Sequence, residues 1–295
     1  NVYTQTKKSV FLYNEYLIKH KFFVNEKLLY FLTTSIFKSI KLKFGYENKA
    51  GWDKVKKERI KLPTQNGEID FDFMESFIAE LEAERIAELS AYLTVSGMDN
   101  YELSDEERQA VEGLDKVEWG EYKVSELFTL QKITKMLSKE DLSDKYSFPA
   151  YSSESINNGI IGYTDKPEFI CNDEHPVFVT FGDHTRTFNI AYNSFSVLDN
   201  VKVLLPFTNS YRALLWIITA WKKQIPNIGY ARHWKIAKDC VVSLPTKNNQ
   251  IDLEFMQRFI SAIQKLAIKD VVLYTDKKIA AAKKVVEEIN HDAQN

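Results

Sequence analysis

The chain has 295 residues, which suits two or three domains, and its 44% hydrophobic and 13% aromatic content supports packed cores rather than a disordered polymer. No apolar run approaches the roughly 18 residues of a membrane span, and Asn1-Val2-Tyr3-Thr4-Gln5-Thr6-Lys7-Lys8 lacks a signal-peptide hydrophobic region. The two cysteines, Cys171 and Cys240, form no metal or redox motif, so a reducing, cytoplasmic setting without membrane contact is expected.

The net charge of −2 conceals two basic regions. Residues 1–62 carry 14 Lys/Arg against 5 Asp/Glu, residues 63–120 carry 3 against 16, and residues 201–247 hold eight basic residues with Asp239 as their one acid. Solvated faces explain any single run of this kind. The same polarity in two corresponding places asks for more.

In chain order, Leu28, Leu29, Leu32 and Ile36 have helical spacing behind a candidate N-cap, Asn25. A loop with Gly45-Tyr46 and Trp52 follows, then a short predicted strand ending in Leu62-Pro63. After a polar turn, Asp70 is placed to cap a long helix over 70–94, striped by Phe73, Phe77, Leu81, Ile86, Leu89 and Leu93. Val95 to Val117 reads as an acidic linker with one short helix capped by Ser104. Residues 119–208 are mainly β, with strands at Val177–Phe181, Arg186–Tyr192 and Val201–Leu205 and a turn at Gly182-Asp183-His184-Thr185.

From there the first pattern returns. Tyr211, Leu214, Leu215 and Ile218 form an amphipathic helix behind Asn209, then come Gly229-Tyr230, Trp234, a strand ending in Leu244-Pro245, and Asp252 before a second long helix over 253–290. Its stripe is Phe255, Phe259, Ile263, Leu266, Ile279, Val286 and Ile289. Leu62 to Ile78 matches Leu244 to Ile260 at ten of 17 positions, and Trp52 pairs with Trp234 at the same spacing. The chain is duplicated, with roughly the first third of the repeat missing from the N-terminal copy. The expected fold is α+β: a mainly β domain with small helices, plus two long helices pairing as an antiparallel coiled coil.

Three polar sets could meet nucleic acid. His184, Thr185 and Arg186 lie at a β-turn, and arginine is the commonest reader of guanine; the plain alternative is a hairpin turn closed by an Asp183–Arg186 pair. Ser152, Ser153, Asn157 and Asn158 form a second loop, although Asn158-Gly159 is also ordinary turn chemistry. Tyr230, Arg232, His233 and Lys235, with Lys222, Lys223 and Lys238, interleave cations with aromatics as a phosphate-lined groove would. In the first copy, Lys49, Lys54, Lys56 and Lys57 hold the matching basic place. Trp234 reads as a core anchor.

Enzyme readings find no support. No Gly-rich strand–turn–helix or Asn-Pro-Pro-aromatic stretch occurs, and His20, His175, His184, His233 and His291 lack metal-ligand spacing. Asp173-Glu174-His175 reads as an exposed loop. No catalytic or metal residue is assigned, and catalysis falls to a partner.

Glu118-Trp119, Tyr151-Ser152-Ser153 with Asn157-Asn158-Gly159-Ile160, Thr180-Phe181-Gly182-Asp183-His184-Thr185-Arg186-Thr187, Asp199-Asn200-Val201, and Leu-Pro before a long helix form an ordered set. In that set the chain resembles the specificity subunits of type I restriction–modification systems. The resemblance implies a partial first target recognition domain at 1–62, a first helical spacer and linker at 63–117, a complete second recognition domain at 118–247 and a second spacer at 248–295. It further implies binding of double-stranded DNA at a bipartite site, and docking of modification subunits that methylate adenine with their own S-adenosylmethionine. Restriction subunits are further implied partners, with no cofactor in this chain. The chain departs from the family in its first recognition domain, which begins midway. The alternative class is a coiled-coil protein-interaction scaffold with a degenerate DNA-reading domain.

Overall fold

A computed structural model of the chain describes residues 1–10, 15–229 and 231–292, with side chains as far as Lys284. Two compact units emerge: residues 1–100 with 270–295, and residues 101–269. The side chains of Val286, Ile289 and His291 lie outside the described residues.

In the first unit, α1 (Glu26–Ile40) is capped by Asn25, whose side chain accepts from Leu28 N at 3.0 Å, and it buries Leu28 and Leu32. A single helical turn, α2 (Trp52–Val55), precedes a two-residue hairpin of β1 (Thr64–Gln65) and β2 (Glu68–Ile69). Asn66 and Gly67 turn it with positive φ, which asparagine and glycine tolerate best. Asp70 then caps α3 (Phe71–Val95) through Phe73 N at 2.8 Å. The strand expected to end at Leu62-Pro63 does not form, and residues 58–63 have no regular structure.

The second unit opens with α4 (Asp105–Glu112), held by a full capping box between Ser104 and Glu107. Strand β3 (Glu118–Lys123), the turn α5 (Val124–Leu127) and β4 (Phe128–Leu130) follow. Next are β5 (Phe148–Tyr151), β6 (Ile160–Thr164), β7 (Phe178–Gly182), β8 (Thr187–Ala191), β9 (Ser196–Val197) and β10 (Val201–Pro206). After α6 (Tyr211–Gln224) and the turn α7 (Trp234–Ala237) come β11 (Val241–Lys247) and β12 (Gln250–Ile251). The last element is α8 (Leu253–Asp292), capped by Asp252 at Phe255 N, 2.9 Å. The cap of α6 is Ser210 rather than Asn209, because the hydroxyl of Ser210 reaches Ala213 N.

Three sheets of this unit have the orders β4-β10-β7-β8, β12-β11-β3 and β6-β5-β9; all pairings are antiparallel except β5 with β9. The main core lies between the first two sheets and α6, and Phe181, Trp221, Leu204, Leu214, Ile217, Leu244 and Met256 fill it. Trp221 is fully buried, and its indole N–H donates to Ala237 O at 2.9 Å, as a buried polar group requires. Phe169, Phe178 and Phe195 centre a second cluster. Among the described residues, no helix is long and apolar enough to cross a membrane.

Candidate nucleic-acid interface

The β7–β8 turn is built around Asp183, which is 2% exposed. Its N–H donates to Asn200 O at 2.8 Å, its carbonyl accepts from His233 N at 3.0 Å, and its carboxylate Oδ1 accepts from Trp234 N at 2.6 Å. The His233 ring closes the knot. Nδ1 sits 2.9 Å from Asp183 O, and Ile228 N–H donates to Nε2 across 3.4 Å. A carbonyl can only accept and an amide N–H can only donate, so Nδ1 is the donor to Asp183 O and Nε2 the acceptor from Ile228 N. One buried aspartate and one buried histidine thus pin the turn after β7, the loop before β10 and the segment 225–234 together.

Arg186 and Ser153 tie the rest. Arg186 has φ 57°, a left-handed conformation uncommon for a non-glycine residue, and its Nη1 donates to Ile225 O at 3.0 Å. His184 N donates to Ser153 Oγ at 3.0 Å, which joins the β5–β6 loop to the turn. Asn157, Asn158 and Gly159 all have positive φ in that loop. A Cβ on Gly182 would lie 2.5 Å from Thr187 Oγ1 and 3.0 Å from Ser153 Oγ, so only glycine allows this approach.

The predicted residues divide into those that brace and those that project. His233 is 0% exposed, and the expectation that it lines the surface is corrected: its ring atoms are consumed inside the knot. Ser152 is buried as well, its Oγ accepting from Glu154 N. The alternative of an Asp183–Arg186 pair also fails, since each side chain bonds to a different backbone group. Thr185, Asn157, Lys222, Lys223, Arg232 and Lys235 are exposed, while Ser153, His184 and Arg186 are half-buried at the same edge. Tyr230 lies outside the described residues. Trp234 is half-buried and packs on Phe181 and Trp221, as an anchor should. Asp173-Glu174-His175 forms a loop whose Glu174 and His175 amides donate to Asn172 Oδ1. Asp183 itself was legible only as a turn residue, since nothing local marks a carboxylate that reaches an amide 51 positions away.

A braced edge of polar loops with exposed cations and amides is the kind of surface that sequence reading of a nucleic acid requires. Residues 116–274 match the family model of the type I restriction modification DNA specificity domain, and the chain belongs to that family. Its function is recognition of DNA sequence within a restriction–modification system. The chain is 25% identical over 248 residues to the type II restriction enzyme BgcI specificity subunit S.BcgI of Heyndrickxia coagulans, covering 82% of this chain and 68% of that protein. It is also similar to the crystal structure of the type I restriction–modification system S subunit from M. genitalium, with TM-score 0.44, 13% identity, and 90% and 71% of the two chains covered. A structure concerned with complex assembly and conformational transition of the type I system gives TM-score 0.43 at 12% identity, covering 88% and 68%.

Proposed function

We propose that the edge braced by Asp183 and His233 reads one half of a bipartite DNA site and brings an adenine methyltransferase to it. The observation that carries this reading is the knot itself. The buried Asp183 and His233 fix the turn after β7, the loop before β10 and the segment 225–234, and Ser153 ties the β5–β6 loop to them; exposed on these segments and the adjoining helix are Thr185, Asn157 and Arg232 with Lys222, Lys223 and Lys235, and direct readout needs donors held in register with base edges. Lys222, Lys223 and Lys235 engage phosphates, Ser153, His184 and Arg186 belong to the same surface, and Tyr230 is a candidate contact by its place in the sequence. Methyl transfer, with S-adenosylmethionine, belongs to the modification subunits, and DNA cleavage to restriction subunits; this chain supplies no catalytic group.

In this reading 118–247 is the complete recognition domain and 1–62 a partial copy. The stretches 63–117 and 248–295 are spacers whose helices pair as an antiparallel coiled coil and offer the modification subunits a docking face. Several observations support it: the shared hairpin and aspartate cap before α3 and α8, the Lys278–Glu82 ion pair between those helices, and burial of Met74, Leu93, Val272 and Thr275. The test is an adenine methylome of cells co-expressing this chain with its modification subunit. A new methylated motif dependent on both supports recognition, and an Arg232→Ala chain should blur that motif. No new methylation despite stable co-purification would sink the reading and favour the scaffold.

A further inference from the structure

A second carboxylate ties down a segment that the Asp183 knot does not reach. Strands β4 and β7 both run antiparallel to β10, so their C-terminal ends point the same way, toward Val201. After β4 the chain stays beside β10, with Gln131 N donating to Val203 O at 2.8 Å. It then reaches Leu137, whose N–H donates to Val197 O at 3.1 Å and which bridges Leu198. Segment 131–137 therefore flanks the loop 198–200, whose Asn200 carbonyl accepts from Asp183 N. Glu168, 34 positions beyond Thr134, holds this segment: its Oε1 accepts from Thr134 N, from Thr134 Oγ1 at 2.7 Å and from Lys135 N at 3.2 Å. The acceptor is itself fixed, since Glu168 N donates to Phe195 O at 3.0 Å and to Ser196 Oγ at 2.9 Å, both on buried residues. Ile133 packs against the cluster of Phe169, Phe178 and Phe195, and Leu137 is buried. Lys132 and Lys135 are left exposed, and among the described residues neither belongs to an ion pair. Asp141, which feels the charge of Lys135, is held instead by Ser138 N and Oγ at 2.8 and 2.9 Å.

We propose that segment 132–136 is a phosphate clamp in which Lys132 and Lys135 contact the DNA backbone and Glu168 is the positioning residue, a role that rests on this edge facing DNA. Lysine offers a point charge rather than the planar fork with which arginine reads a base, so its natural target here is a phosphate oxygen. Phosphate contacts carry no sequence information, yet they fix the register in which the reading loops meet base edges. Such a contact serves register only on a stiff backbone, and three bonds to one carboxylate oxygen hold two consecutive residues of the segment. Glu168 thus does for this loop what Asp183 does for the turn after β7, from a different part of the fold.

The test is salt-dependent binding of a mixed-sequence duplex by the chain assembled with its modification subunit. Lys132→Ala with Lys135→Ala, both at exposed positions, should weaken binding about tenfold and reduce the slope of log affinity against log salt by up to about 2. Glu168→Ala should reduce that slope by about 1 and add nothing further in the background of the two lysine changes. An unchanged slope in the lysine variant overturns the proposal. A Glu168→Ala chain that melts lower yet keeps the wild-type slope overturns the positioning role, and so does a further drop in the combined variant. Lys222→Ala with Lys223→Ala is the reference. If it alone lowers the slope, the DNA-facing edge stands and the clamp falls; if neither pair of changes moves the slope, both fall.

Discussion

If the Asp183 knot positions the reading loops, breaking it should cost sequence choice as well as stability. In Asp183→Ala the backbone bonds from Asp183 to Asn200 and His233 remain, but Trp234 N loses a 2.6 Å carboxylate acceptor in a site where Asp183 is 2% exposed. Loss of a charge-assisted bond that leaves a shielded donor unpaired costs about 1.5–3 kcal/mol. For a unit of the size of residues 101–269, that corresponds to a melting temperature lower by about 3–12 °C. Asp183→Asn, which keeps an acceptor of the same shape, should lose less than half of this. Loosening 232–234 and 184–186 relative to each other should also erode discrimination between the cognate motif and single-base variants by about tenfold, the worth of one good base contact. The assays are thermal melting of the purified chain and competition binding to cognate and one-base-changed duplexes with the modification subunit present. A chain that melts lower yet keeps full discrimination at a temperature where it is folded would refute the claim that this edge reads bases.

Lys222→Ala with Lys223→Ala should weaken DNA binding evenly across sequences and reduce the slope of log affinity against log salt by up to about 2, measured by salt titration, with the methylated motif unchanged. Gly182→Ala should destabilise by about 1–3 kcal/mol in a denaturant melt, because its Cβ would enter the space of Thr187 and Ser153. Glu107 should make stability pH-dependent. Burial opposes its ionisation, but Lys265 Nζ at 2.8 Å, Ser104 N at 2.8 Å and Ser261 Oγ at 2.7 Å outweigh that and hold its carboxyl below the ordinary value. A depressed folded value means stability present above the ordinary carboxylate range near about 4.3 and lost as pH falls through the folded value, so Glu107→Gln should melt lower at neutral pH and lose less than wild type on acidification.

What the sequence made legible and what it did not divide along one physical line, the range of the contact. The caps at Asn25, Asp70, Ser104 and Asp252 bond to amides three residues on, so the residue types and their spacing contain the whole interaction. The long helices were legible for a similar reason, since periodicity repeats within a turn or two. Asn209 and Ser210 show the limit of even local reading: both are good caps, and only the backbone decides that Ser210 faces Ala213 N. The strand expected before Leu62-Pro63 fails differently. It shares Leu-Pro-Thr with β11, but a strand is a pairing and not a property of one segment; β11 pairs along its length with β3. The same distance effect hid the site's frame. The sequence groups His233 with Arg232 and Lys235 as one run of cations interleaved with aromatics, whereas its ring is buried against a carbonyl 50 positions earlier. An edge assembled from several loops therefore shows its outward chemistry in sequence and keeps its bracing out of view, and under the proposed function mutations at Asp183 and His233, rather than at the lysines, separate a reader from a merely basic surface.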